Sequence, residues 1–246
     1  MAPADQRASF EEFEMTTANI HLSEGEVTHN EQQRVCQVNV GCGSTPTPGW
    51  MNFDNSLTIR LGRIPGLVYL LWTRRLIAEH QRYFAKVAKE FNVQWAQAWK
   101  LPLASGSVEA FYSSHMLEHL DALQVHKLFV EARRVLKPGG VIRLGVPDLH
   151  RLARQYGESG DADAFVQSTL MACPPKTGLI DRLQYLLVGE RHHRWMYDAA
   201  SLAKLLRREH FSDVREMKPG ETMIPEPGQL NLREREDETV YVEAFR

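Results

Sequence analysis

The chain has 246 residues, 43% hydrophobic and 24% charged, which is typical of one large α/β domain. Its formal net charge of −2 leaves no general basic field for a phosphate backbone, so we expect no nucleic-acid partner. Three widely spaced cysteines form neither a zinc-ligand pattern nor a disulfide framework, which favours a reducing, cytoplasmic compartment.

The N-terminal part of the sequence differs from the rest. Residues 1–33 are polar and weakly patterned, and we expect an N-terminal arm before one domain over residues 34–246. The arm has several glutamates and no long apolar run, so it is not typical of a signal peptide. The most apolar run, residues 67–72, is far shorter than the roughly 20 residues of a spanning helix, so we expect no stable membrane insertion.

Strand and helix patterns alternate along the remaining chain. Short β-rich runs predict strands over residues 34–40, 50–54, 93–96, 108–114, 141–146, around 214 and over 239–245. Helical spacing occurs over residues 66–91, 125–136, 148–157, 179–188 and 198–208. This alternation predicts a mainly parallel sheet with helices on both faces.

Two helix ends carry clear local signals. The helix over 125–136 is expected to keep Lys137 in its last turn and to end at Pro138-Gly139-Gly140. Asp198 is a plausible N-cap for the helix through Arg208.

A glycine turn follows the first strand directly. Gly41 and Gly43 allow a sharp bend and a close approach of the backbone to a ligand, although a G-x-G pair alone also fits a purely structural turn. Asp54 stands eleven residues after Gly43 at the end of the next strand, where a carboxylate can accept ribose hydroxyls. A dinucleotide site is disfavoured because Pro46 replaces the third glycine and the glycine-to-acid spacing is below roughly 20 residues.

Several motifs in order resemble one family. The runs 39–43 and 48–54 resemble the first S-adenosylmethionine (SAM) binding motif of class I methyltransferases, in a bacterial type 11-like branch with a G-C-G … P-G-W-x-N-x-D pattern. Further runs similar to that branch are L-P-L at 101–103, S-S-H-M-L-E-H-L at 113–120, R-V-L-K-P-G-G at 134–140, V-P-D-L at 146–149, H-R-W-M-Y-D at 193–198 and V-Y-V-E-A at 240–244.

The resemblance implies a Rossmann-like, seven-stranded, mainly parallel sheet with one late antiparallel strand. It also implies SAM as cofactor and S-adenosylhomocysteine as product. The cofactor-binding residues it implies are Asn39, Gly41, Cys42, Gly43, Asp54, Gln97, Ala98, Trp99 and Ser114. Asn39 replaces the acidic residue that often opens the motif, and Trp99 is either a stacking partner or part of the core.

Three residues near the strand ends are candidates for catalysis. His115 is the first candidate for a general base because histidine titrates near neutral pH. His119 lies one turn further, and Asp148 ends the fifth strand, where it either binds the acceptor or caps the next helix. We expect no metal, because the adjacent His192 and His193 lack the spacing of metal ligands on a helix and no cysteine cluster accompanies them.

Two insertions are expected, at about 55–92 and 158–190. The second precedes a polar and aromatic stretch whose expected acceptor-binding residues are His192, His193, Trp195 and Tyr197. The first, with four arginines around an apolar run, is interpreted as a core or lid helix, a dimer contact or a monotopic membrane contact.

The expected function is methyl transfer to an O or N atom of a small polar metabolite, such as a sugar or aminocyclitol unit in secondary-metabolite or surface-polysaccharide biosynthesis. This acceptor rests on family analogy. The alternatives are a non-catalytic SAM-binding or scaffold protein, a methyltransferase that acts on a lipid-linked acceptor, and a nicotinamide-dependent oxidoreductase. A homodimer is one expected arrangement.

Overall fold

The computed structural model describes residues 36–172 and 192–246. The predicted N-terminal arm, the predicted helix over 179–188 and most of the second insertion lie outside these ranges. The described strands are β1 (Gln37–Val40), β2 (Met51–Asp54), β3 (Gln94–Trp95), β4 (Val108–Ser114), β5 (Leu136–Pro147), β6 (Ser212–Met217) and β7 (Thr239–Phe245). The described helices are α1 (Leu57–Gly62), α2 (Leu67–Thr73), α3 (Glu79–Glu90), α4 (Ala122–Val135), α5 (Leu149–Ser159), α6 (Ala162–Ser168) and α7 (Ala199–Arg208).

The described strands form one sheet in the order β3-β2-β1-β4-β5-β7-β6. Strands β1 to β5 pair in parallel, and β7 runs antiparallel to both of its neighbours. The expected Rossmann-like sheet with one late antiparallel strand is therefore confirmed. The order reverses between β1 and β4, and in such sheets ligands bind in the crevice outside the carboxyl ends of the strands at this point.

Successive side chains of the central strands point to opposite faces of the sheet, and different elements cover the two faces. Phe111, Ile142 and Val242 belong to the main core, together with Leu128 of α4 and Leu202 of α7. On the other face, a second cluster joins the sheet to the long connection between β6 and β7; its members are Trp50, Ala110, Tyr112, Val141, Ile224 and Leu230. An irregular segment thus packs on part of this face.

A buried ion pair fixes that connection to the sheet. Arg143 of β5 and Glu243 of β7 are fully buried, with 2.5 Å between Nη1 and Oε1. The guanidinium also donates to the carbonyls of Glu221 and Leu232, at 2.9 and 3.1 Å. A buried pair contributes favourably only when further hydrogen bonds satisfy both groups. The Glu243 carboxylate accepts from the Thr222 hydroxyl and the Met223 N–H of the β6–β7 connection, whereas Arg143 Nε has no partner among the described residues.

Two expected helices differ from the structure. The helical spacing over 66–91 is interrupted after Thr73, where Arg75 has a left-handed φ of 56°, so two helices replace one. The helix α4 ends at Val135, not at the Pro-Gly-Gly turn, because Leu136 already pairs with Val108 as a strand residue. Lys137 therefore lies in β5, where it pairs with Glu109 at 2.6 Å.

The N-cap signal of the last helix is confirmed. The Asp198 carboxylate accepts from the Ser201 N–H at 2.7 Å, and α7 follows at once. Past its end, His210 adopts a left-handed φ of 65°, a conformation in which helices often end.

Candidate cofactor and acceptor site

The glycine turn is tied to the neighbouring strand by its own backbone. The N–H groups of Gly41 and Cys42 both donate to the Phe53 carbonyl, at 2.8 and 3.2 Å. Gly41 has a φ of 71°, and a Cβ there would lie 2.5 Å from the sulfur of Met116. Glycine is therefore required at position 41 by both conformation and space.

The Asn39 side chain stabilises the turn by hydrogen bonds. Its side chain is buried, and its Nδ2 donates to the Thr45 carbonyl at 3.2 Å and to the Thr47 hydroxyl at 3.0 Å. This residue thus orders the turn, and it does not line the cavity described below.

The Asp54 carboxylate closes the turn from the β2 side. One oxygen accepts from the Gly43 N–H at 3.0 Å and the other from the Ser56 N–H at 2.7 Å. Burial raises the pKa of Asp54, while these two backbone bonds act to lower it. Each oxygen keeps a second lone pair, so the carboxylate can still accept hydroxyl hydrogens from a ligand.

A cavity of about 580 Å³ opens over the carboxyl ends of β1, β2 and β4. Its size is in the range of small-molecule sites, about 300–1,000 Å³. One wall is the turn with Asp54, and another is formed by Ala98 and Trp99 after β3. Further wall residues come from the first insertion, from the region after β4 and from the segment before α7; they are Ser56, Thr58, His80, Tyr83, Phe84, His115, Met116, His119, Gln124 and Arg194.

Five of the nine expected cofactor residues line this cavity: Gly41, Gly43, Asp54, Ala98 and Trp99. Cys42 points away into a small core with Ile59 and Phe84, and burial raises the pKa of its thiol. The exposed Gln97 begins a turn that its carbonyl closes with the Lys100 N–H at 2.9 Å. Four of the nine expected residues are therefore absent from the described cavity wall: Asn39, Cys42, Gln97 and Ser114.

His115 lines the cavity and is held on both sides. Its backbone is left-handed with a φ of 50°, and its N–H donates to the Gly145 carbonyl. The ring Nε2 lies 2.8 Å from the Thr239 hydroxyl, and Nδ1 lies 3.5 Å from the Glu118 carboxylate. An Nδ1–H tautomer directed at Glu118 would leave Nε2 as a proton acceptor.

Glu118 is the centre of a cluster of histidines. It is fully buried, and neither carboxylate oxygen has a hydrogen-bond partner among residues 36–172 and 192–246. His193 lies 3.9 Å away, and its ring meets that of His119 edge to face at 5.0 Å. Burial lowers the pKa of His193, and the charge of Glu118 opposes this effect.

Glu118, His119 and His193 each offer one ligand atom within 4.8 Å of the others, a set that could hold a metal ion. The geometry does not test the expectation that the protein has no metal, so that expectation stays a prediction.

The expected acceptor residues occupy different positions. The carbonyl of His192 lies 3.2 Å from Nδ1 of His119, and the Trp195 side chain is 60% exposed. Tyr197 is buried in the core, and burial raises its pKa to about 12. Asp148 caps α5 by accepting from the His150 N–H at 3.0 Å. Within the described ranges none of the expected acceptor residues, nor Asp148, lines the cavity.

Arg194 and the wall residues of the first insertion were not predicted from the sequence. Arg194 stands between two residues that were named, and its N–H donates to the Glu118 carbonyl at 2.7 Å. Ser56 had one local signal, since it follows two residues after Asp54 and begins α1 as its N-cap. Nothing local indicated that α3 would place Tyr83 and Phe84 beside the cavity.

The fold agrees with the resemblance found in the sequence. The strand order and the antiparallel β7 give the Rossmann-like sheet that the resemblance to class I methyltransferases implies. Residues 68–144 match a family model described as a methyltransferase domain. No relative is found among curated protein sequences.

The solved structures to which the chain is similar are distant in sequence. A SAM-dependent methyltransferase from Thermotoga maritima is 16% identical, with a TM-score of 0.46, over 85% of this chain and 81% of that chain. One from Methanosarcina mazei is 16% identical, with a TM-score of 0.45, over 89% and 95%. A protein from Pyrococcus horikoshii is 15% identical, with a TM-score of 0.46, over 88% and 84%.

Proposed function

We propose that this protein transfers a methyl group from SAM to an O or N atom of a small polar acceptor. The observation that carries the proposal is the cavity at the sheet's switch point, in which the Gly41–Gly43 turn and the Asp54 carboxylate face Ala98 and Trp99. This arrangement suits an adenosyl group, because Asp54 can accept ribose hydroxyls and Trp99 can stack on the base.

The residues of the cavity have mainly to position the reactants. SAM, when bound, supplies a methyl group that its sulfonium has already activated. Holding an acceptor in line with such a group can lower a barrier by about 7–11 kcal/mol. The turn, fixed by Asn39 and Phe53, and the half-buried Met116 give this region a defined shape.

His115 is the proposed general base. Glu118 would accept a hydrogen bond from Nδ1–H of His115, which leaves Nε2 unprotonated. The acceptor hydroxyl would then take the place of the Thr239 hydroxyl beside Nε2 and give its proton to this nitrogen. General-base catalysis of this kind contributes roughly 10²–10⁴ in rate. His119 is the second candidate, since Nδ1 faces the His192 carbonyl and Nε2 is left to accept. A sugar or aminocyclitol unit fits this polar wall.

Calorimetry with SAM and S-adenosylhomocysteine tests the cofactor site. We expect Asp54→Asn to weaken binding roughly 10–100-fold, because bonds to a charged acceptor are worth about 1.5–3 kcal/mol. The matched control is Asp163→Asn, an exposed carboxylate on α6. Absence of binding by the wild type, or equal binding by both variants, would contradict the proposal.

A radiolabelled-methyl screen against sugars, aminoglycosides and phenols tests turnover. His115→Ala should lower kcat by about 10²–10⁴ on a hydroxyl acceptor while SAM affinity stays within a few-fold of the wild type. Cofactor binding without transfer to any compound would instead indicate a non-catalytic SAM-binding protein.

A further inference from the structure

The short helix α2 (Leu67–Thr73) leaves part of its apolar surface exposed. Six of its seven residues, L-V-Y-L-L-W, are apolar or aromatic, yet within the described part of the chain none of them is buried. Tyr69 and Leu70 are 60% and 49% exposed, and Ile64 just before the helix is 53% exposed. Contiguous exposed apolar patches of this kind mark interaction sites.

Arginines border this patch on both sides. Residues 55–78 contain Arg60, Arg63, Arg74 and Arg75 and no aspartate or glutamate, although the whole chain has a net charge of −2. Arg63, Arg74 and Arg75 are exposed. We call Ile64, residues 67–72 and these three arginines the α2 surface. The adjacent Glu79 is already paired with Arg82 at 3.2 Å, so it does not oppose this charge directly.

The elements on either side of α2 also form part of the cavity wall. Thr58 of α1 and Phe84 of α3 line the cavity, and so does Tyr83, whose side chain is 56% exposed. Arg82 of α3 stacks over Trp72 of α2 at 4.3 Å, which ties the surface to the cavity wall. A partner bound to α2 would therefore lie close to the cavity.

We propose that the α2 surface binds the face of an anionic lipid bilayer. Exposed Ile64, Tyr69 and Leu70 with flanking arginines resemble the composition of elements that lie in the membrane interface. A polybasic surface is attracted to anionic headgroups, and each arginine raises the affinity for the bilayer roughly fivefold.

The helix length agrees with interfacial binding. Seven residues of helix extend about 10 Å, against about 30 Å for a bilayer core. Among the helices that the structure describes, none has the length and apolar character that crossing a membrane requires.

A second copy of this chain fits the α2 surface less well. In an isologous dimer the same patch meets itself, so Arg63, Arg74 and Arg75 of both copies would be brought together with no acidic residue of 55–78 between them. Like charges opposed across an interface are unfavourable. The charge pattern therefore favours an anionic surface as the occupant.

If the protein is a methyltransferase, as proposed above, binding to a membrane also indicates which class of acceptor it methylates. A cavity held beside a bilayer would receive a polar unit, such as a sugar or aminocyclitol, that is attached to a lipid carrier. The protein would then methylate the headgroup while the carrier stays in the membrane.

Cosedimentation of the full chain with vesicles tests the proposal. Vesicles of phosphatidylcholine alone are compared with vesicles that also contain phosphatidylglycerol, at low and high salt. We expect binding only with the anionic lipid, with a loss at high salt. The exposed-site variants Leu70→Glu and Arg74→Glu/Arg75→Glu should each lower the partition coefficient at least about tenfold.

The controls carry the same substitutions elsewhere. Leu123→Glu replaces a leucine that is 61% exposed on α4, and Arg207→Glu/Arg208→Glu replaces two adjacent exposed arginines at the end of α7. Both controls should bind vesicles as the wild type does. No binding by the wild type, equal binding to both vesicle types, or equal loss in the control variants would overturn the proposal. A dimer that Leu70→Glu dissociates, with no vesicle binding, would also overturn it.

SAM calorimetry on the same preparations separates this inference from the proposed function. Leu70→Glu should keep the wild-type affinity for SAM, since Leu70 does not line the cavity. Vesicle binding without SAM binding would overturn the proposed function alone, and SAM binding without vesicle binding would overturn the membrane proposal alone.

Discussion

The two glycines of the turn after β1 provide a matched pair of substitutions. Both have positive φ, 71° at Gly41 and 49° at Gly43, so alanine costs about 1–2 kcal/mol of backbone strain at either position. A Cβ at Gly43 meets no atom within 4 Å, whereas one at Gly41 would lie 2.5 Å from Met116 Sδ and 2.7 Å from its Cγ. Gly41→Ala must also displace Met116, an overpacking cost of about 1–3 kcal/mol.

Thermal denaturation and SAM calorimetry measure the difference between the variants. At about 2–4 °C per kcal/mol for a chain of this size, Gly43→Ala should lower Tm by about 2–8 °C and Gly41→Ala by about 4–20 °C. Because Met116 lines the cavity, Gly41→Ala should also lose the larger part of its SAM affinity. Adding Met116→Ala to Gly41→Ala should recover affinity. Equal Tm and equal affinity for the two glycine variants would refute the steric argument.

Two further predictions concern stability. Arg143→Met leaves Glu243 buried without its ion-pair partner, so the free energy of unfolding should fall by about 3–5 kcal/mol. The double variant Arg143→Met/Glu243→Met should lose less stability, because neither charge is then left buried. Equal losses in the two variants would contradict the role of the pair. Burial lowers the pKa of His193 below its ordinary 6.5, so the unfolded state binds the proton first, and stability falls as pH drops below about 6.5. His193→Gln should therefore show a shallower fall of Tm between pH 7.5 and 5, and an unchanged slope would contradict this.

The elements that sequence predicted best are those with strong local signals. The strand over 239–245 has the predicted bounds, and Asp198 caps its helix as predicted. The turn before Asp54 was also recognisable, because glycine and a following carboxylate are chemical requirements of the site itself. Boundaries between α4 and β5 were less accurate, since pairing of Leu136 with Val108 decides where the helix stops.

The candidate site residues also divide into predicted and missed ones. Gly41, Gly43 and Asp54 were predicted and line the cavity, because they follow strands whose ends meet at one edge of the sheet. Arg194 was not predicted although it lines the cavity, and the neighbouring Trp195 was predicted although it faces solvent. The sequence of a loop does not indicate which of its side chains reaches the cavity.

By itself, then, the sequence determined the alternation of strands and helices, the glycine turn with its carboxylate, and the class of fold that these imply. Only the tertiary structure decided that an irregular segment covers the sheet beside Arg143, that Glu118 lies buried among histidines, and that Tyr69 and Leu70 of α2 stay exposed. The reason is physical: local pattern follows from the period of a helix or strand, whereas burial depends on which distant element packs against it.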